Sequence, residues 1–306
     1  MRNSLRSRFF PIFAGFAFVL ILFAPASKGE AQSQIPASSQ AYVRDVIEHT
    51  QWLVRSHLSS RERRIEERIR VIVPRDWSFT AQAQSEDGTR RIVMSAGLGW
   101  IYQQLAIAYL AEQELGMRGC FEEYLVHIST VTIDNSAAKQ NRQALRPAFT
   151  PDLYAQRYGG PCSDLTTQTS IRLQQRYQQQ TAAIIGVSIG FVYLHELAHH
   201  VLDHLDDHDP GFAGSRVHER EADLWAIEKM VDAGIAPAGA VSAMTFLTAV
   251  GGASLEEEVL STHPLGMRRV FEMLDLAADL HEADGDYELA DETRETSEIF
   301  RLLIPN

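Results

Sequence analysis

The residues most able to do chemistry are His195-Glu-Leu-Ala-His199. On a helix, His195 and His199 lie one turn apart on the same face. Two imidazoles placed so can share one Zn²⁺, with Glu196 beside them as general base. A short motif of this kind also arises by chance on surface helices, so a third ligand is required before it signifies a site.

That ligand is sought on the next helical segment, His218-Glu219-Arg-Glu221-Ala222-Asp223. A short break after His199 lets a second helix return antiparallel to the first. Glu219 then completes a His₂Glu set with a fourth position left for water. Asp223 lies one turn beyond Glu219 and on the same face. It is suited to accept a hydrogen bond from the non-ligating nitrogen of a ligand histidine. Glu221 points about 200° away from Glu219 around the helix. His200 is turned about 100° from His199. The extended HExxHxxGxxH pattern is not met, because Leu202 and Leu205 replace its Gly and His. His204 and His208 are therefore poor third ligands.

The elements that must hold these residues can be read around them. Thr181 to Leu194 is almost wholly apolar and reads as a buried core helix, too short for a membrane span. Gly186 and Gly190 on it would admit a closely packed neighbour. A helical period starts at Gln40. Strand-like stretches cover Ile69–Val73, Phe79–Gln84 and Arg91–Ser95, with a turn at Ser85–Gly88. The last strand is a candidate edge for β-augmentation by an extended peptide. Trp100 to Leu115 is helical and ends at Gly116 as C-cap. Asp134 to Gly160 reads as a long irregular segment. Arg172–Gln180, Ser215–Ala233, Pro237–Val250, a segment opened by Pro264, and Tyr287–Leu303 are helical. The expected fold class is α+β, mainly α-helical, with a small β-sheet and an active-site helix.

At 306 residues, 45% hydrophobic and 22% charged, the chain is long enough for one large domain. The net charge of −12, without a basic run, argues against a nucleic-acid surface. Arg2, Arg6 and Arg8 precede an apolar Phe9–Ala24, and small residues follow at Gly29-Glu-Ala31. This reads as an export signal over residues 1–31, with an uncleaved N-terminal anchor as the alternative. Membrane contact would then run through that segment alone. The expected destination is periplasmic or secreted, with an unknown envelope partner. Residues 32–39 read as a linker and 40–306 as one domain with an insertion at about 117–170. Cys120 and Cys162 bound that insertion, as one disulfide in an exported protein or as two buried thiols.

Taken together, His195-Glu-Leu-Ala-His199, His204, Glu219-Arg-Glu-Ala-Asp223, Thr262-His263-Pro264 and Arg269-Val270 resemble the HtpX, BepA and CAAX prenyl protease family of gluzincins. Arg91–Ser95 with Gly97-Leu98 resembles that family's strand and following stretch. The resemblance implies a zincin-like metallopeptidase domain and Zn²⁺ as cofactor. It implies His263 and Arg269 as donors to the developing oxyanion, or His263 as an occupant of the fourth zinc position. The expected activity is an exported zinc metalloendopeptidase acting on protein or peptide substrates of the cell envelope. In the alternative, the chain is a catalytically silent zinc-binding chaperone-like or scaffold protein.

Overall fold

The computed structural model describes residues 35–206, 211–251 and 266–302. The expected signal segment, the Thr262-His263-Pro264 motif and Glu256–Glu258 lie outside the described residues. The rest forms a mainly helical α+β fold with one three-stranded sheet.

Helix α1 (Ala37–Val54) buries Tyr42, Val43, Val46, Ile47, Thr50 and Val54, one face at helical spacing. It starts before Gln40, and Ile35 ahead of it is fully buried, with its carbonyl accepting from Arg75 Nε at 2.8 Å. Residues 35–39 thus belong to the packed body and do not form a linker. Helix α2 (Ser60–Glu66) opens with a capping box between Ser59 and Glu62.

Strands β1 (Arg70–Ile72), β2 (Ala81–Glu86) and β3 (Thr89–Met94) follow in the spatial order β1-β3-β2. β3 runs parallel to β1 and antiparallel to β2, with Ala83 opposite Ile92. The hairpin turn is only Asp87-Gly88, both with positive φ (48° and 73°), the Asp-Gly arrangement that matches strand twist. Ser85 and Glu86 therefore extend β2 rather than join the turn. β3 carries the expected Arg91–Met94 stretch and is paired on both sides, so it offers no edge. The edge next to the site is β2.

Helix α3 (Ala96–Leu115) begins four residues before Trp100, because the Ser95 hydroxyl accepts the Gly97 N–H at 3.0 Å and so caps it there. Gly97 has to be glycine: a Cβ there would stand 2.6 Å from the Phe79 ring. Gly116 ends the helix in the left-handed conformation (φ 72°), as expected.

The insertion is not irregular. It contains α4 (Cys120–Gln140) and α5 (Pro151–Tyr158), with 141–150 as its longest stretch without regular structure. The polar composition misleads because one polar residue does interior work. Buried Asn135 donates to the Trp77 and Arg146 carbonyls (2.8 and 2.9 Å) and accepts the Arg146 N–H at 2.7 Å. Cys120 and Cys162 are disulfide-bonded, tying the start of α4 to the turn after α5.

Helix α6 (Thr167–Arg176) is separated at Tyr177 from α7 (Gln178–Val201), so the polar segment does not run continuously into the apolar one. α7 packs against α1, α3, β2, β3 and two later helices, α8 (Gly211–Asp232) and α9 (Ala238–Gly251). Its 24 residues would suffice to cross a membrane, contrary to the shorter run read from sequence, but most of it lies inside the protein core. Close approach is built in: a Cβ on Gly190 would meet Thr50 Oγ1 at 3.0 Å, and one on Gly239 of α9 would meet the Val187 carbonyl at 2.5 Å. α10 (Gly266–Ala283) and α11 (Tyr287–Leu302) pair with each other, and α10 also packs on α8 and α9.

Two outcomes follow for the insertion. A sequence separation of 42 makes the disulfide worth about 4 kcal/mol by loop-closure entropy. The Cys120→Ser/Cys162→Ser double variant is expected to lose about 2–4 kcal/mol in denaturant unfolding; an unchanged midpoint would refute the staple. Burial, reinforced by Arg146, pushes His127 down to about 4, and its Nε2 accepts the Phe149 N–H. The unfolded chain, at about 6.5, then binds the proton first. Stability supplied by neutral His127 is complete above pH ~6.5 and falls as pH drops towards 4. His127→Gln should flatten that slope relative to wild type in unfolding curves at pH 7.5 and pH 5.

Candidate active site

The C-terminal half of α7 carries the motif, and α8 returns beside it antiparallel. Asp223 meets His195, Glu219 meets both His195 and His199, and Glu221 meets His204. The expected one-turn spacing of Glu219 and Asp223 thus places both carboxylates against the α7 histidines. His195, His199 and Glu219 present ligand atoms all within 4.8 Å of one another, a group able to hold a metal ion. His195 Nε2 lies 3.2 Å from His199 Nε2 and 3.4 Å from Glu219 Oε2; His199 Nε2 lies 3.5 Å from Glu219 Oε1.

His195 Nδ1 donates to Asp223 Oδ1 at 2.9 Å. Arg269 on α10 grips the same carboxylate through Nε (2.6 Å, to Oδ2) and a terminal nitrogen (2.8 Å, to Oδ1). That terminal nitrogen also lies 3.3 Å from Glu219 Oε2. Burial alone would raise the Asp223 pKa, but the Arg269 charge and bonds, with His195, hold it below the usual carboxylate range. Burial disfavours the His195 cation, yet Glu219 and Asp223 outweigh it and move this imidazole up to about 10. The cluster is thus arranged to stabilise positive charge between its donors. Arg269 has a structural role that its sequence position did not reveal. Two carboxylates occupy its Nε and one terminal nitrogen, and the residue is 6% exposed, so in this structure it braces Asp223 and Glu219 against the α7 histidines. His263 lies outside the described residues.

Glu196 points to the sheet. Its Oε2 accepts the Ala83 N–H of β2 at 2.6 Å. Burial, and to a lesser degree Glu219, raises its pKa, while His195, His199 and the amide pull the other way; the net shift is upward. Sequence reasoning missed this partner because a backbone amide leaves no mark in residue type.

The end of α7 is anchored to the sheet. Arg90 donates to the His200 carbonyl at 2.8 Å, and His200 Nε2 donates to the Arg91 carbonyl at 2.9 Å. Arg61 reaches the Val201 carbonyl and Asp203, and cations here suit a helix C-terminus. His200 is therefore structural, in agreement with its turn away from the ligand face. His204 and Glu221, set aside as ligands, lie next to the group rather than in it.

Removing Arg269 leaves the buried Asp223 carboxylate with His195 but without its bidentate cation. Arg269→Met is expected to destabilise the protein by roughly 3–5 kcal/mol, and Arg269→Lys to recover only part, because an ammonium cannot make the two-pronged contact. Thermal or denaturant unfolding reads this directly; a loss under about 1 kcal/mol for Arg269→Met would show that the pair does not hold the site together.

Residues 134–290 match the model of the family described as Peptidase U49. Among curated proteins and among solved structures, no match was found.

Proposed function

We propose, from the premise that this chain belongs to the Peptidase U49 family and is a peptidase, that it is a zinc metalloendopeptidase of zincin type. The carrying observation is the spacing of the donors. Two atoms bound to a tetrahedral zinc at about 2.0–2.1 Å stand about 3.3–3.4 Å apart. The separations among His195 Nε2, His199 Nε2 and the Glu219 oxygens are 3.2, 3.4 and 3.5 Å. His₂Glu with one open position is also the donor set of hydrolytic rather than structural zinc.

When bound, zinc supplies a Lewis acid for the scissile carbonyl and a water of lowered pKa. The chain's own residues supply the rest. Glu196 takes the water proton and returns it to the departing amine. Ala83 N–H holds one carboxylate oxygen, so the other is free to face the water. Asp223, fixed by Arg269, keeps the His195 proton on Nδ1 and its Nε2 lone pair directed at the metal. An extended substrate would lie along β2, the edge strand at the site. His263 keeps its proposed place as oxyanion donor or fourth ligand, by resemblance to HtpX, BepA and the CAAX prenyl proteases. Arg2 to Ala31 supports export to the cell envelope, and the Cys120–Cys162 bond fits an oxidising compartment.

Purified protein is expected to hold one zinc and to cleave a mixed peptide library, with cleavage lost on chelation. Glu196→Gln should lower turnover by about 10²–10⁴ with zinc retained, and Glu219→Ala should lower zinc content. Cleavage that survives Glu196→Gln, or zinc content unchanged in Glu219→Ala, would overturn the assignment.

A further inference from the structure

The two histidines of the site are held in different ways. His195 donates its far proton to a buried carboxylate, Asp223, which is itself gripped by Arg269. The far nitrogen of His199 faces another imidazole: its Nδ1 lies 3.1 Å from His204 Nδ1. The other nitrogen of His204, Nε2, lies 3.0 Å from Glu221 Oε2. The His204 ring is stacked on that of His218, with centroids 4.3 Å apart and planes within 7°. The side chain of His204 is 5% exposed, whereas that of Glu221 is 54% exposed.

We propose that His204 is a positioning residue for His199, the middle of a directed chain from Glu221 through His204 to the ligand. This rests on reading the site as a zinc centre. His199 Nε2 is the nitrogen next to His195 Nε2 and Glu219, so it is the one that offers a lone pair to a metal. An imidazole bound through Nε2 carries its proton on Nδ1. That proton needs an acceptor, and the atom facing it is His204 Nδ1. A neutral His204 accepting there carries its own proton on Nε2, aimed at the acceptor-only carboxylate of Glu221. Both contacts are then satisfied by one assignment of protons. The opposite tautomer of His204 would set two N–H groups against each other at 3.1 Å and leave Nε2 facing a carboxylate without a proton between them. The stack on His218 holds the ring plane, and a half-turn within that plane would put carbons where Nδ1 and Nε2 make their contacts, so rotation cannot relieve a wrong assignment. The chain ends at an exposed carboxylate, whereas the His195 chain ends at a buried bidentate ion pair. His199 is thus the ligand held through the more adjustable support.

The test uses zinc itself, in competition with a chromogenic chelator, on the full chain. An Asn at 204 places its oxygen near the position of Nδ1 and keeps the acceptor for His199. A Gln at 204 places its amide near Nε2, reaches Glu221, and leaves the Nδ1 position without an acceptor. His204→Gln is expected to weaken zinc binding about 10–100-fold, and His204→Asn to stay within about threefold of wild type. Equal zinc affinities for the two variants would overturn the proposal, because a ring that only fills space distinguishes neither atom. Should His204→Gln fail to fold, Glu221→Ala decides: its exposed side chain is dispensable for folding, and a several-fold loss of zinc affinity supports the chain while unchanged affinity overturns it. A wild type that binds zinc, with Glu219→Ala that does not, separates failure of this chain from failure of the zinc site, in which wild type takes up none.

Discussion

One buried carboxylate organises the site. Asp223 accepts from His195 on α7 with one oxygen and is clasped by Arg269 of α10 through both, while itself belonging to α8. Three helices are tied at a single side chain that is 2% exposed. Such a charge is tolerated inside a protein only when its partners and their geometry are fixed. The packing around it supplies that fixity: α8 lies along α7, and α10 packs on α8. Glu219 shares the arrangement, because the same guanidinium lies 3.3 Å from it. On the proposed zinc reading, donors fixed in this way would need little reorganisation to bind an ion.

Most of this set was legible in the sequence, and for identifiable reasons. Helical geometry alone places His195 with His199 and Glu219 with Asp223, and it turns His200 and Glu221 off the shared face. The strands, Gly116 and the pairing of the two cysteines follow from local patterns of the same kind. Arg269 was reached through resemblance, since nothing in its spacing connects it to a residue 46 positions earlier. The structure supplies a physical reason for its presence here, the clasp on Asp223.

The misreadings have physical causes as well. Composition took Asp134–Gly160 for an irregular stretch, yet a helix with an exposed face is polar in composition too. Asn135, which looked like a loop residue, is a buried junction between three backbone groups. The start of α3 was set too late because its first turn is defined by the Ser95 cap, not by periodicity, and α1 starts directly after Pro36, ahead of its apolar period. Ala83 left no trace because its contribution is a peptide N–H. His204 was weighed only as a ligand, so its contact with the far side of one was not considered.

The bond from Ala83 to Glu196 divides the site between two kinds of architecture. Helices α7 and α8 carry the donors, and α10 braces them, whereas the orientation of the base is set from a strand edge. The matched family region, 134–290, takes in all three helices and none of the sheet. On the proposed reading, the metal donors and the orientation of the base therefore draw on different elements, with β3 also anchoring the end of α7. On that reading a change in β2 acts first on the base, whereas a change in α7, α8 or α10 acts first on the donors.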